Sequence, residues 1–252
     1  MKTKLNKTIL TVILLLASST AFAHFPWLLV GDPYPKKSKE AKVYAAWGHY
    51  FPVHGFMDKE RISNLVMVTP DGKETALDMN KDVEFVTQVP TEPGVHVVLG
   101  NQGKGYYTKT RKGGERAPKT GLKDVVRCYY SDNSMKAVFN SGDKGSLSNA
   151  FGQSLEIIPQ SNPAELNVGD YMPVKVLYRG SPYDGTVYST YEGFSTEGAY
   201  AYTIDTDDNG IANIRLLDRG RWLVYARVEN DYPDPKVCDV EAFTSTLTFS
   251  IR

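Results

Sequence analysis

From about residue 42 onward the chain alternates short apolar or β-branched runs with turn signals, and no stretch holds a 3.6-residue apolar period over three turns. Period-two or β-rich runs occupy Lys42–Trp47, Asn64–Thr69, Val83–Val89, Gly94–Leu99, Ser134–Asn140 and Ser154–Pro159. They continue at Tyr171–Tyr178, Gly185–Tyr191, Tyr200–Thr206, Gly210–Leu216, Arg221–Val228 and Phe243–Ile251. Between them stand Pro70-Asp71-Gly72, Glu92-Pro93-Gly94, Gly180-Ser181-Pro182 and Asp208-Asn209-Gly210, where Gly, Pro, Asn and Asp supply the dihedrals that a tight reversal needs. Short strands at this spacing predict an all-β chain of antiparallel sandwiches. A segment rich in Gly, Ser, Asn and Asp at Ser141–Gln153 suggests a boundary, with one domain over 24–145 and a second over 146–252.

Hydrophobic residues make up 41% of the 252, and aromatic ones 12%, enough apolar surface to exclude a disordered chain. Lys plus Arg and Asp plus Glu stand at 29 each, so no charge excess points to a nucleic-acid partner. The cations are unevenly placed, however. Gly100 to Lys123 holds Lys104, Lys109, Arg111, Lys112, Arg116, Lys119 and Lys123 among glycines with few large apolar residues, and reads as a long basic loop.

The first 23 residues read as a signal peptide. Lys2, Lys4 and Lys7 precede an apolar core at Ile9–Leu16, and Ala21-Phe22-Ala23 forms an A-x-A cleavage site. That core is shorter than the roughly 20 residues a membrane span needs. Cleavage after Ala23 would send the product to the periplasm, leave 26 cations against 29 anions (net −3), and make His24 the first residue. In an oxidising compartment Cys128 and Cys238, 110 residues apart and without C-x-x-C spacing, are expected to form a disulfide. Closing so long a loop stabilises by roughly 4 kcal/mol in the chain-entropy account.

All four histidines, His24, His49, His54 and His96, lie in the first half. As a mature N-terminus His24 offers an α-amine and an imidazole on one residue, and an α-amine gives up its proton to a metal near neutral pH far more readily than lysine does. Pro26 lacks an N–H, so successive backbone amides cannot extend the donor set past Phe25. His49 and His54 flank the turn-forming stretch Tyr50-Phe51-Pro52-Val53, where two imidazoles can converge on one ion. The predicted metal ligands are therefore His24, His49 and His54, with Met57 as a candidate thioether and Trp27, Trp47, Tyr50 and Phe51 packed around them. His96, embedded in Val95-His96-Val97-Val98, reads as structural. Asp205-Thr206-Asp207-Asp208-Asn209-Gly210 begins like a calcium loop, but Leu216 occupies the position of the required acid, so a hairpin turn is the better reading. No phosphate loop, dinucleotide fingerprint or Gly-x-Ser-x-Gly elbow occurs.

His24-x-x-Trp27 at the cleavage site and Trp47-Gly48-His49-Tyr50 at a strand end resemble the periplasmic component family associated with nickel/cobalt transport complexes, catalogued largely as a domain of unknown function. Leu155–Pro159 followed by Asn162-Pro163, Thr206–Ala212 and Gly220–Ala226 are similar to that family's second half, in a pattern shared with many transthyretin-like and immunoglobulin-like domains. The resemblance implies two tandem immunoglobulin-like or transthyretin-like β-sandwiches, with His24 and His49 in a metal site; His54 is an extension from the local sequence. The expected function is non-enzymatic: capture of nickel or cobalt, with copper or zinc as alternatives, for an inner-membrane metal permease. The competing expectation is a periplasmic module that binds protein or glycan through aromatic loops, with incidental histidines.

Overall fold

The computed structural model describes residues 24–36, 39–81, 84–88, 93–141 and 148–252. The signal peptide expected over 1–23 lies outside them, as do the ends of the run at Val83–Val89 and the middle of the boundary segment. The first half supplies β1 (Phe25–Val30), β2 (Glu40–Gly48), β3 (Gly55–Phe56), β4 (Ile62–Val68), β5 (Glu74–Ala76), β6 (Asp78–Lys81) and β7 (Glu84–Gln88). Two 16-residue strands, β8 (Val95–Thr110) and β10 (Val125–Asn140), flank the short β9 (Gly113–Glu115). The second half adds β11 (Leu155–Pro159), β12 (Tyr171–Tyr178), β13 (Ser181–Pro182), β14 (Thr186–Tyr191) and β15 (Tyr202–Asp205). It ends with β16 (Ile211–Arg215), β17 (Gly220–Asp231) and β18 (Val240–Ile251). Among the described residues the only helical turns are 3-10 turns at Lys59–Arg61 and Pro163–Glu165. The all-β, sandwich-type expectation holds.

The sheets are shared differently from two tandem units. A nine-stranded sheet runs β15-β14-β17-β18-β10-β8-β4-β5, with β9 on β8, and so takes strands from both sides of residue 146. Its joint is the parallel pairing of β10 with β18, Tyr129 to Ala137 against Val240 to Thr248. One face is covered by the four-stranded sheet of β11, β12, β13 and β16, through a core of Val97, Leu99, Ile157, Val174, Trp222 and Leu247. On the other face lies the five-stranded sheet of β1, β2, β3, β6 and β7, through Leu28, Val43, Met67, Val98 and Phe139.

The central strand β18 shows why this layering was hidden. Phe243, Leu247 and Phe249 alternate with Thr244, Thr246 and Thr248, a pattern that reads as one buried and one solvated face. Both faces are buried, and the threonine hydroxyls are satisfied inside: Thr246 donates to the Pro26 carbonyl at 2.9 Å and Thr248 to the Leu28 carbonyl at 2.7 Å. A second buried polar contact ties the halves together. Lys136 on β10 and Glu156 on β11, each about 1% exposed, pair at 2.8 Å. The Glu156 carboxylate also accepts backbone N–H bonds from Phe151, Gly152 and Gln153.

The segment read as a long basic loop is instead mostly strand. β8 and β10 continue past the sheet body as a hairpin arm, with Tyr107 opposite Tyr129 and Thr110 opposite Val125, and β9 folds back on β8. So far from the layers neither face of the arm is fully covered, and no apolar alternation marks it in sequence. The expected disulfide is present: Cys128 in the arm joins Cys238 in the β17–β18 connection, with Cα atoms 5.0 Å apart.

Candidate metal-binding site at adjacent strand ends

Strand register brings the first-half histidines together. β1 pairs with β2 so that Phe25 faces Gly48, which sets His24 beside His49, the residue that follows β2. β3 folds back onto β2 with Gly55 opposite Trp47, so His54 arrives beside the same strand end. The His24 and His49 ring centres are 3.9 Å apart, and each lies 5.8 Å from the His54 ring. Metal–nitrogen bonds of about 2.1 Å would place the ring centres of two imidazoles on one ion roughly 5 Å apart. The observed separations bracket that value.

The loop between His49 and His54 is fastened from below. Phe51 is buried against Trp27, the Phe51–Pro52 peptide is cis, and Trp27 Nε1 donates to the Pro52 carbonyl at 2.8 Å. Phe25, Trp27, Leu29 and Phe51 form a cluster with Leu223 and Tyr225 of β17, so the loop rests on the second half of the chain. Gly48 has φ +152°, and a Cβ there would overlap the His54 side chain. Gly198, with φ +79°, packs against the His49 carbonyl, where no larger residue would fit.

Aromatic and cationic groups surround the rings. Trp47 is nearly parallel to the His24 ring at 5.8 Å, and Tyr50 stacks on His54 at 4.2 Å. The Arg61 guanidinium lies 4.1 Å above the Trp47 ring, in cation–π contact. The His24 imidazole is held below its ordinary pKa, first by burial and then by the neighbouring His49, His54 and Arg61. A ring kept neutral in this way presents a lone pair rather than a charge.

The geometry is a gathering of rings, not a finished cage. Among the described residues no three His, Cys, Asp or Glu side chains stand in an arrangement that would hold a metal ion. His54 shows one reason: its Nδ1 accepts the His49 backbone N–H at 3.2 Å, and a neutral imidazole has only one lone-pair nitrogen. His54 could ligate only by surrendering that long bond.

Two other sequence candidates are elsewhere. Met57 is 1% exposed and packs in the core with Leu28 and Val43, so its thioether faces the interior rather than the histidines. His96 is fully buried on β8, stacks on Phe139, and pairs through Nε2 with the Ser141 hydroxyl at 2.9 Å, the structural role expected of it. Arg61 and Gly198 are the neighbours that the sequence did not reveal. Arg61 sits in a 3-10 turn and Gly198 in the β14–β15 connection, and neither carries a local signal of its position.

A model of the domain of unknown function DUF4198 matches residues 21–230. The chain belongs to this family. The family's description names no activity and no metal, and does not link the chain to nickel or cobalt transport. No curated protein matches. Among solved structures, a mutant of Salmonella alpha-2-macroglobulin is 10% identical over 90% of this chain and 15% of its own, with a TM-score of 0.24. Murine CEACAM1b is 10% identical over 91% of this chain and 100% of its own, with a TM-score of 0.22. At such scores neither likeness bears on the function of this DUF4198 member.

Proposed function

We propose that this DUF4198 protein is a non-enzymatic periplasmic carrier of a divalent transition metal, nickel or cobalt, which it passes to an inner-membrane uptake permease. One observation carries the reading: register alone gathers His24, His49 and His54 at adjacent strand ends, and His24 becomes a chelating N-terminus once the chain is cut after Ala23. His24 supplies amine and imidazole, His49 a second imidazole, and His54 a third by exchanging its 3.2 Å backbone bond for the ion. Trp47 and Tyr50 limit solvent access to the rings. Nitrogen donors do not select nickel or cobalt over copper or zinc, and copper is expected to bind most tightly in vitro.

The test is calorimetric titration of nickel and cobalt into the form beginning at His24, a form with an added Met before His24, and the variants His49→Ala and His54→Ala. The extra residue turns the amine into an amide while keeping the imidazole. Its expected cost is on the order of 10- to 100-fold in affinity, with a similar loss for His49→Ala. If the extended form and His49→Ala both bind like the parent, the carrier reading fails and an interaction module replaces it.

A further inference from the structure

We propose that the hairpin arm of β8, β9 and β10 is a docking surface for an anionic phospholipid bilayer. The molecule is strongly polarised. Residues 103–127 contain eight Lys and Arg against only Glu115 and Asp124, a local charge of +6. The rest of residues 24–252 holds 18 cations and 27 anions, a charge of −9.

Three of these cations are paired: Lys104 with Asp132 at 2.9 Å, Lys119 with Asp239, and Arg127 with Glu229 at 3.8 Å. Lys109, Arg111, Lys112, Arg116 and Lys123 make no ion pair among the described residues. Lys109 and Arg127 stand directly opposite each other across the β8–β10 ladder, where like charges destabilise a sheet. The Glu229 carboxylate relieves part of that repulsion, and a negatively charged surface would relieve more of it.

Apolar and aromatic groups are exposed on the same arm. Tyr107 is 48% exposed and Val126 56%. Tyrosine beside lysine and arginine is the chemistry of a bilayer interface, where the ring sits at headgroup depth and the cations meet lipid phosphates. The surface is also held ready. The Cys128–Cys238 bond, the Lys119 N–H to the Val237 carbonyl at 3.0 Å, and the Thr120 hydroxyl to the Lys236 carbonyl at 3.2 Å fasten the 116–124 segment and the arm to the β17–β18 connection. A backbone fastened before contact loses little entropy on docking. Exposed cations spread over one arm suit a charged plane better than a single acidic pocket.

The experiment is co-sedimentation of the protein beginning at His24 with vesicles of phosphatidylcholine alone and of phosphatidylcholine mixed with phosphatidylglycerol, across a salt series. Binding only to the anionic vesicles, weakening as salt shortens the Debye length, is expected. Each near-surface cation strengthens such adsorption about fivefold. The double variant Arg111→Ser/Lys112→Ser, altered only in an exposed turn, should therefore lose on the order of 20-fold. Tyr107→Ser should weaken binding while leaving its salt dependence intact. Equal binding to both vesicle types, or an unaffected double variant with an unchanged melting curve, would overturn the proposal. So would capture of soluble polyglutamate without vesicle binding, which would assign the arm to an acidic protein, or arm-dependent self-association without vesicle binding. None of these outcomes depends on metal binding.

Discussion

His96→Gln should flatten the acid limb of the protein's stability curve. His96 is fully buried; its Nε2 pairs with the Ser141 hydroxyl, and its Nδ1 has no hydrogen-bond partner. Protonation would place a second N–H and a full charge where nothing accepts them, and burial accordingly pushes the pKa down to about 4, with Asp71 opposing weakly. In the unfolded chain the same imidazole titrates near 6.5. Between these values the unfolded state holds a proton that the native state does not, so stability rises with pH through the window and is lost as pH falls through it. Above about 6.5 both states are neutral and below about 4 both are charged, so the contribution is confined to that interval. The full shift corresponds to about 3 kcal/mol, and an interval that stops at about pH 4.5, above the native pKa, samples about 2 kcal/mol or slightly more of it. Urea unfolding of parent and variant from about pH 7.5 to 4.5 measures it, because subtracting the curves cancels every other titrating group. The gap between them should change by about 2 kcal/mol across the interval. Parallel curves would refute the argument, since they would mean that His96 is protonated within the fold at no cost.

The remaining predictions concern stability elsewhere. Glu156→Leu should cost about 3–5 kcal/mol in urea unfolding, because it strands a buried lysine and three backbone N–H groups. Lys136→Met should cost less, since the carboxylate keeps those three donors; the reverse order would contradict this account. Mass mapping without reductant should show Cys128 linked to Cys238, and reduction should lower stability by about 4 kcal/mol, whereas an unchanged melting temperature would show that the loop needs no tether. Gly48→Ala should destabilise by about 1–3 kcal/mol and displace the His54 ring, detectable as a shifted imidazole resonance. Gly72→Ala is the control, because φ is +84° there too but nothing lies within 4 Å of the new Cβ. Equal costs at the two glycines would remove the steric argument.

The sequence by itself determined the all-β class and many of the strands, though not β1 or the outer part of β8. Alternation and turn residues marked β2, β4, β12, β16 and β17 because those signals act within a few residues. Cys128 and Cys238 were legible as a pair because two cysteines far apart and without C-x-x-C spacing have few alternatives. The histidines were legible as candidates by type and by their place at strand ends. Tertiary structure alone decided what each face meets. Thr244, Thr246 and Thr248 look solvated in sequence, but inside the fold β1 carbonyls accept from Thr246 and Thr248, and Arg227 donates to the Thr244 hydroxyl at 3.2 Å. Gly100 to Lys123 looks like loop because an arm outside the layers has no fully covered face to record its strands. Met57 could be removed from the ligand set only once β1 and β2 had closed over it. The meeting of His24 with His49 follows from pairing Phe25 with Gly48, a register set by side chains far apart in the chain and so invisible to any local pattern.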